Sequence, residues 1–364
     1  MKTTSAAALM LTAGLGLGGC ALISQLLDIV GLDVLGTMPK AGFSQSASPE
    51  FGEVVFALGS QDSKGLGIAP PLDLLTFEDE DGDPIDVEEG EEVPGSEAGT
   101  FVLLVDGSTS MLDSDPGRHR VEAAQEVALA LAECSDHWDQ ALMEFTTEAE
   151  DGKYVYSRTL APFGTAPTEI GEKAGDLSAN GGTPIWDATG ELLSALTEHA
   201  DDHEAELESL ADGEVPDEAS DSGLVPDVPV YDQYGRSLVV ISDGADTASR
   251  ASLMDVIEQA NRAGIAVHAI GLGPASDAET EMPVDSQAIE DLRELALKTG
   301  GTYGYVSSAQ ELPAQADAIA KAICGGYTEM TVRFSDPKPR GERVNGRVSL
   351  LQTGIGVPFT FTAP

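Results

Sequence analysis

The sequence predicts an α/β protein with a doubly wound, mostly parallel sheet and a small flanking β-rich region. Between residues 99 and 325, short apolar runs alternate with longer segments suited to helices, the order that gives a parallel sheet covered by helices. Two of the apolar runs end in an aspartate that small polar residues follow, at Asp106 and at Asp243. About 225 residues are enough to form one substantial core.

Strands and helices are predicted in turn along this region. The first strand is predicted at Phe101–Val105, where a run of apolar, partly β-branched residues is typical of a strand buried on both faces. Further strands are predicted at Ala141–Phe145, Val155–Leu160, Ser237–Ile241, Ala266–Leu272 and Thr302–Val306. Helices are predicted at Arg118–Glu133, Ile185–His199, Ala251–Ala263, Ser286–Thr299 and Ala309–Ile323.

Strand-like runs also occur on both sides of the α/β region. They lie at Glu53–Leu58, Leu72–Phe77, Thr328–Phe334, Arg347–Leu351 and Pro358–Thr362. We expect residues 53–98 and 326–364 to form one small β-sandwich, with the α/β region inserted between its halves. Two unrelated hairpins packed on the α/β region are the alternative.

Oxygen-bearing side chains follow two of the predicted strands and one Gly-Gly turn. FVLLVDGSTSM contributes Asp106, Ser108 and Ser110, GGTPIWDA contributes Thr183, and SLVVISDGADT contributes Asp243. Ligands of an open α/β sheet bind beyond the carboxyl ends of its strands, so these five side chains should face one crevice. Oxygen ligands of which few are charged favour Mg²⁺ or Mn²⁺ with retained waters over zinc or copper. Alone, Asp-x-Ser-x-Ser is also typical of a helix N-terminus, but the coincidence of three segments favours a metal site.

These three segments resemble the von Willebrand factor type A domain with its metal-ion-dependent adhesion site, and the resemblance spans residues 99–325. It implies a Rossmann-like fold in which Ser108, Ser110 and Thr183 coordinate the cation directly. Asp106 and Asp243 would act through water or hydrogen bonds. The resemblance also implies a coordinatively open cation, whose shell an Asp or Glu of a partner protein completes. A degenerate copy of the site that binds no metal is the alternative.

The amino terminus has the features of an export signal. Lys2 precedes an apolar stretch of small residues from Ala6 to Gly18, too short for a permanent membrane span, and Leu17-Gly18-Gly19-Cys20 resembles a bacterial lipobox. We expect residues 1–20 to be a lipoprotein signal region with cleavage before Cys20, lipidation of that thiol, and residues 21–52 to be a tether. A plain signal peptide with a coincidental cysteine is the alternative. We expect a lipid-anchored protein of the cell envelope. If the cell is Gram-negative, Ala21 after the lipidated cysteine resembles the pattern of sorting to the outer rather than the inner membrane.

The remaining cysteines are Cys134 and Cys324. They form an even pair in an oxidising compartment, and the resemblance places their helices side by side on one face of the sheet. A disulfide between them is therefore expected, against the alternative of two unpaired buried thiols.

Composition limits the partners. The chain has 63 Asp and Glu against 19 Lys and Arg, a net charge of -44, which disfavours nucleic acid as a partner. The tracts 78–97 and 199–235 are dense in acids, contain no Lys or Arg, and are expected to be disordered. We expect the insertion 199–235 to be a solvated spacer rather than an acidic arm that gates the ligand. Residues Pro274 to Asp285 follow the carboxyl end of a predicted strand and so border the predicted metal site. They are the better candidate for determining which partner binds.

Motifs of enzymes are absent from the sequence. It has no GxSxG, P-loop or HExxH pattern, and its five histidines follow no nucleophile–base arrangement. His199 and His203 are spaced as zinc ligands on a helix would be, but the sequence offers no third ligand. A solvated helix end is therefore favoured over a zinc site. We therefore expect no catalysis and no small-molecule substrate. The predicted function is a metal-dependent, adhesion-type protein-binding module on a lipid-anchored envelope protein. A structural or assembly subunit that holds a permanent partner by the same site is the alternative.

Overall fold

The computed structural model describes residues 34–40, 50–61, 67–68, 75–93, 95–96, 98–150, 153–211, 234–276, 282–339, 343–350 and 356–362. The predicted signal region with Cys20, much of the predicted tether and residues 212–233 of the acidic insertion lie outside these ranges.

The chain begins its described part with six strands, β1 Val34–Lys40, β2 Glu50–Gln61, β3 Gly67–Ile68, β4 Leu75–Asp79, β5 Pro84–Val93 and β6 Ala98–Asp106. The middle part contains α1 Met111–Ser114, α2 His119–Cys134, β7 His137–Glu150, β8 Lys153–Ala161, α3 Pro167–Ala174, α4 Ile185–Ala211 and β9 Tyr234–Ser242. The last part contains α5 Leu253–Ala263, β10 Ala266–Gly271, α6 Ser286–Lys298, β11 Tyr303–Tyr305, α7 Leu312–Gly325, β12 Tyr327–Pro339, β13 Arg343–Leu350 and β14 Gly356–Thr362.

The α/β region is built on a six-stranded sheet in the order β11-β10-β9-β6-β7-β8. All neighbouring pairs are parallel except β7 and the edge strand β8, which are antiparallel. The predicted fold class, a doubly wound and mostly parallel sheet, is confirmed. Strands β6 and β9 are neighbours in the middle of the sheet, so the loops that follow them leave the sheet side by side.

Strand β6 is buried on both faces, as its continuous apolar run predicts. Phe101, Leu103 and Val105 pack into one core cluster with residues of α2 and α7. Val102 and Leu104 point the other way and pack with residues of α4, α5 and α6. Helices on both faces therefore hold β6 in place, and with it the position of Asp106 at its end.

Both flanks of the α/β region contribute to one antiparallel sheet, with the strand order β1-β2-β12-β5-β4-β13-β14 and β3 paired to β2. Strand β12, which follows the α/β region, lies between β2 and β5, which precede it. The two flanks therefore pair with each other, which rules out two unrelated hairpins. They form one sheet rather than the two separately paired layers of the expected β-sandwich. Strands β1 and β14 at the ends of this path contact each other, so the sheet curls.

Two segments predicted to lack regular structure form strands. Residues 34–40, assigned to the tether, form β1 and pair with β2. Residues 84–93, assigned to a disordered acidic tract, form β5 between β12 and β4. Both predictions were wrong because ladder hydrogen bonds join backbone groups, and a small-residue or acidic composition does not prevent them when neighbouring strands are available.

Helix α4 continues to Ala211, beyond its predicted end at His199, so the acidic insertion begins as helix. Ala200 and Leu207 are buried and extend the apolar face of the helix. The solvated-spacer prediction is therefore wrong for residues 200–211. Among the helices that the structure describes, α4 included, none combines the length and apolar character needed to cross a membrane.

Helices α2 and α7 lie side by side, and a disulfide joins Cys134 at the end of α2 to Cys324 near the end of α7. The two Cα atoms are 6.2 Å apart, which is within the range that a disulfide spans. The bond links α2, on the carboxyl side of β6, to the last helix of the α/β region.

Candidate metal centre

Asp106 is the last residue of β6 and is fully buried. Its Oδ1 accepts a hydrogen bond from the backbone N–H of Ser108 at 2.8 Å. Its Oδ2 accepts one from the hydroxyl of Ser242, the last residue of β9, at 2.7 Å. Each carboxylate oxygen thus has a protein donor, which fixes the start of the loop and ties the ends of β6 and β9 together.

The serines of this loop connect Asp106 to Asp243. The hydroxyl oxygens of Ser108 and Ser110 are 2.9 Å apart, and the Ser110 hydroxyl donates to Oδ1 of Asp243 at 2.7 Å. Because the hydrogen of Ser110 is directed to Asp243, Ser108 is the donor in the contact between the two serines, and one lone pair of the Ser110 oxygen remains available to a cation. Ser108 is buried whereas Ser110 is exposed, so the cluster opens to solvent at Ser110.

Asp243 has a second donor that sequence reasoning missed. The hydroxyl of Ser114, a buried residue of α1, donates to its Oδ2. Ser114 lies four residues after Ser110, one helical turn along, so a helical reading of residues 110–114 would have placed both hydroxyls on one face. Ser242 was missed as well, although it directly precedes Asp243.

The two aspartates form an electrostatically unfavourable pair. Burial raises the pKa of Asp106 to about 6, and the nearby carboxylate of Asp243 adds to the effect. Burial also raises the pKa of Asp243. Among the described residues, no basic side chain forms an ion pair or hydrogen bond with either carboxylate. A divalent cation beside the hydroxyls would relieve this repulsion.

Thr183 lies in the turn before α4, and backbone bonds tie this turn to both other loops. The N–H of Asn180 donates to the carbonyl of Gly107 at 2.7 Å, and the N–H of Thr109 donates to the carbonyl of Gly181 at 3.2 Å. The N–H of Thr247 donates to the carbonyl of Thr183 at 2.9 Å. The turn is therefore held between the loops that carry Ser110 and Asp243, and Thr183 is buried there.

Gly181 makes this turn possible. Its φ of +76° lies in the left-handed region, and a Cβ at this position would be 2.6 Å from Oγ1 of Thr146. Glycine at this position therefore permits a close approach between the turn and Thr146 of β7.

A second set of carboxylates fastens the start of α4 to the loop after β9. Asp246 accepts hydrogen bonds from the backbone N–H of Trp186 at 3.2 Å and from the hydroxyl of Ser249. Asp187 accepts from the N–H groups of Arg250 and Ala251 at 3.0 and 2.9 Å. These residues were also missed, since their pairing depends on contacts between segments about 60 residues apart.

Two further buried carboxylates near the site have arginine partners. Glu144 accepts from Nε of Arg158 at 3.0 Å and from the hydroxyl of Ser178 at 2.6 Å. A Cβ at Gly107 would lie 2.2 Å from Oε1 of Glu144, so the residue after Asp106 has to be glycine for Glu144 to fit beneath it. Asp115 forms an ion pair with Arg120 at 2.8 Å, with both side chains buried.

The two histidines with zinc-like spacing contact protein side chains. Nε2 of His199 lies 2.5 Å from Oδ2 of Asp139, and its ring stacks on Phe163 at 3.9 Å. Nδ1 of His203 lies 2.7 Å from the hydroxyl of Tyr234. The prediction of a solvated helix end was wrong, because both rings are partly buried against these partners.

The structure thus joins Asp106, Ser108, Ser110 and Asp243 in one hydrogen-bonded cluster and places Thr183 in the adjoining turn. Within the described residues, no group of three or more His, Cys, Asp or Glu side chains is placed to hold a metal. A metal centre at this cluster would therefore depend on hydroxyl oxygens, a donor set that suits a small, hard divalent cation. Coordination by these five residues stays a prediction.

No protein-family model and no curated protein matches the chain. Among solved structures, it is similar to a von Willebrand factor type A protein from Catenulispora acidiphila, with 13% identity and a TM-score of 0.40 over 92% of this chain and 73% of that one. It is also similar to proximal thread matrix protein 1 from the mussel byssus, solved with a zinc-occupied adhesion-site motif, with 11% identity and a TM-score of 0.40 over 66% of this chain and 49% of that one.

The pilus adhesin SpaC from Lactobacillus rhamnosus GG is a third similar structure, with 10% identity and a TM-score of 0.41 over 91% of this chain and 48% of that one. The chain spans about half the length of the mussel and Lactobacillus proteins. At these identities and TM-scores, the function of this chain has to be inferred from its own residues.

Proposed function

We propose that the chain is a metal-dependent protein-binding module on an exported, lipid-anchored envelope protein, with Mg²⁺ or Mn²⁺ coordinating an acidic side chain of a partner protein. The observation that supports the proposal best is the pair of buried carboxylates, Asp106 and Asp243, linked through the hydroxyls of Ser108 and Ser110. Buried carboxylates without a basic partner are costly unless a cation compensates them.

Each residue of the cluster has a separate task in this proposal. Ser108, Ser110 and Thr183 would hold the cation by their hydroxyl oxygens. Asp243 orients Ser110 by accepting its hydrogen, and Asp106 fixes the loop by accepting the Ser108 N–H. When bound, the cation would offer an open coordination position to a carboxylate of the partner. Because the exposed side of the cluster is at Ser110, the partner would approach there.

We propose binding rather than catalysis. The hydrogen bonds of the cluster join carboxylates, hydroxyls and backbone groups, without an imidazole or amine that could move a proton. Phosphoryl transfer with two metals uses several carboxylates around two ions, and this cluster has two carboxylates. Turnover of any substrate that is abolished in both Ser108→Ala and Asp243→Ala would overturn this part of the proposal.

The test is retention of an envelope protein on the purified full chain, in mild detergent, with Mg²⁺ and with chelator. Ser110→Ala and Thr183→Ala each remove one hydroxyl from the site, and Ser194→Ala on the exposed face of α4 is a matched control. We expect a partner that is retained with Mg²⁺ by the wild type and the control, and lost with chelator or with either site variant. Equal retention by all four proteins would contradict the proposal.

The alternative is a structural or assembly subunit that holds a permanent partner through the same site. In that case Ser110→Ala would prevent the complex from forming, but chelator would not dissociate a complex already formed. Adding chelator after assembly therefore separates the two versions.

A further inference from the structure

Large apolar side chains are exposed at one end of the molecule. Among the side chains that the structure describes, three stand out, Leu112 at 59% exposure, Val284 at 51% and Met254 at 47%. Leu112 follows β6, Met254 lies in the first turn of α5 after β9, and Val284 lies between β10 and α6. Strands β6, β9 and β10 are parallel neighbours, so these segments leave the same edge of the sheet. This is the edge at which the candidate metal centre lies.

Leu112 is close to the centre along the chain. It lies two residues after Ser110, in α1, whose buried residues Met111 and Ser114 face the protein. The same short helix therefore turns Ser114 toward Asp243 and exposes Leu112 next to the accessible hydroxyl of Ser110.

The described residues on both sides of 277–281, in the segment between β10 and α6, lie close to the centre. A Cβ at Gly273 would lie 3.1 Å from Cβ of Ser114, 3.2 Å from Sδ of Met282 and 3.9 Å from Cβ of Asp243. Gly273 and the side chain of Met282 therefore lie close to Ser114 and Asp243. The N–H of Asp285 donates to the carbonyl of Pro274 at 2.8 Å, which holds the neighbour of Val284 in place.

One exposed arginine lies on the same edge. The backbone N–H of Arg250 donates to Asp187 at 3.0 Å, which holds Arg250 beside the start of α4, the helix that follows Thr183. Its guanidinium forms no hydrogen bond or ion pair with the described residues. In a chain with 63 acidic and 19 basic residues, such an arginine complements a ligand of negative charge.

We infer, on the basis of the proposed function, that the partner presents its acidic side chain within an apolar segment. The carboxylate would meet the cation, and the apolar residues on either side of it would pack on Leu112, Val284 and Met254. Single exposed apolar residues need no explanation, but here the three large exposed apolar side chains of the described residues all lie in segments that leave the same edge of the sheet. Arg250 would add charge complementarity at the rim.

The test is selection of random 12-residue peptides displayed on phage against the purified full chain, with Mn²⁺ and with chelator. We expect the Mn²⁺-dependent peptides to share an Asp or Glu with Leu, Ile, Phe or Met within two positions. The best synthetic peptide should then bind the double variant Leu112→Ser, Val284→Ser at least about 10-fold more weakly, the loss typical of removing apolar contacts at an interface. Arg262→Ser, at the far end of α5, should bind it like the wild type.

The Mn²⁺ affinity of the double variant is the control for an intact metal site. It should equal that of the wild type, because the two substitutions leave the oxygen cluster unchanged. Peptides that share an acid but have polar neighbours, or equal binding by the double variant, would overturn the inference while the proposed function stands. Absence of Mn²⁺-dependent acidic peptides would overturn both.

Discussion

Buried carboxylates near the end of the sheet fall into two groups. Glu144 and Asp115 each have an arginine partner and additional hydrogen bonds, so their negative charge is compensated within the protein. Asp106 and Asp243 are equally buried, but among the described residues they receive hydrogen bonds from hydroxyls and backbone N–H groups and none from a basic side chain, although the charge of Arg120 acts on Asp243.

The difference indicates separate roles. A carboxylate paired with arginine stabilises the loops around it and needs nothing from solvent. Two adjacent carboxylates without a basic partner weaken the fold unless a cation joins them, so the fold and the cation are thermodynamically linked at this pair. Substitutions in the two groups should therefore have opposite effects on stability.

The largest effect is expected from Arg120→Met, which leaves the carboxylate of Asp115 buried and unpaired. We expect the free energy of unfolding to fall by about 3 to 5 kcal/mol, the cost of breaking a buried ion pair from one side. Urea denaturation measures it. Arg250→Met, which removes an exposed arginine, should change stability by less than about 0.5 kcal/mol. If Arg120→Met lost as little stability as Arg250→Met, the structural role of the pair of Asp115 and Arg120 would be contradicted.

Asp106→Asn should raise the free energy of unfolding of the metal-free protein, the opposite of Arg120→Met. The folded-state pKa of Asp106, about 6, exceeds its ordinary value of 3.8, so the ionised form is disfavoured in the folded protein. The stability of the wild type should therefore fall as pH rises from about 4 to 6. At pH 7 the variant should be more stable by about 2 to 3 kcal/mol, and Mg²⁺ should no longer stabilise it. Destabilisation of the metal-free variant would show that the charge of Asp106 is compensated within the protein, as the charges of Glu144 and Asp115 are.

Ser114→Ala should have a smaller effect, which we expect on metal affinity alone. Ser114 donates to Asp243 without belonging to the predicted ligand set, and loss of such a partner typically lowers metal affinity about 10- to 100-fold. The measurement is Mn²⁺ affinity by titration calorimetry, with Ser194→Ala as control. Unchanged affinity in Ser114→Ala would mean that Asp243 needs only Ser110 to hold its orientation.

His203→Gln, at the end of the sheet opposite the candidate metal centre, should have the smallest effect on stability. Burial lowers the pKa of His203 below its ordinary 6.5, so the folded protein favours the neutral ring. Its contribution to stability is present above pH 6.5 and is lost as pH falls through the folded-state pKa. The wild type should therefore lose more stability than His203→Gln between pH 7 and 5, as measured by thermal unfolding. Identical pH profiles would show that the ring contributes nothing.

Most of the candidate metal cluster was predictable because four of its residues, Asp106, Ser108, Ser110 and Asp243, follow strands that the sequence marks clearly. The apolar runs before Asp106 and Asp243 fix both strand ends, and the parallel order of those strands brings the ends together. Ser114, Ser242 and Asp246 were not predicted, since a lone serine or aspartate carries no signal until its partner is known.

Parts of the fold were missed for a similar reason. Strands β1 and β5 form through backbone pairing with β2 and β12, and the composition of these segments, small or acidic, argued against strands. The end of α4 was misplaced because acidic residues conceal the buried Ala200 and Leu207. Both errors show tertiary contacts overriding composition.

We propose that the cluster of Asp106, Ser108, Ser110, Thr183 and Asp243 binds a divalent cation. Titration calorimetry of Mg²⁺ and Mn²⁺ into the purified full chain, beside Asp106→Ala and Ser194→Ala, tests it most directly. We expect one saturable site in the wild type and in Ser194→Ala that is absent in Asp106→Ala, above the weak background that a net charge of -44 produces in all three. The same background in all three proteins, with no saturable site, would contradict the account.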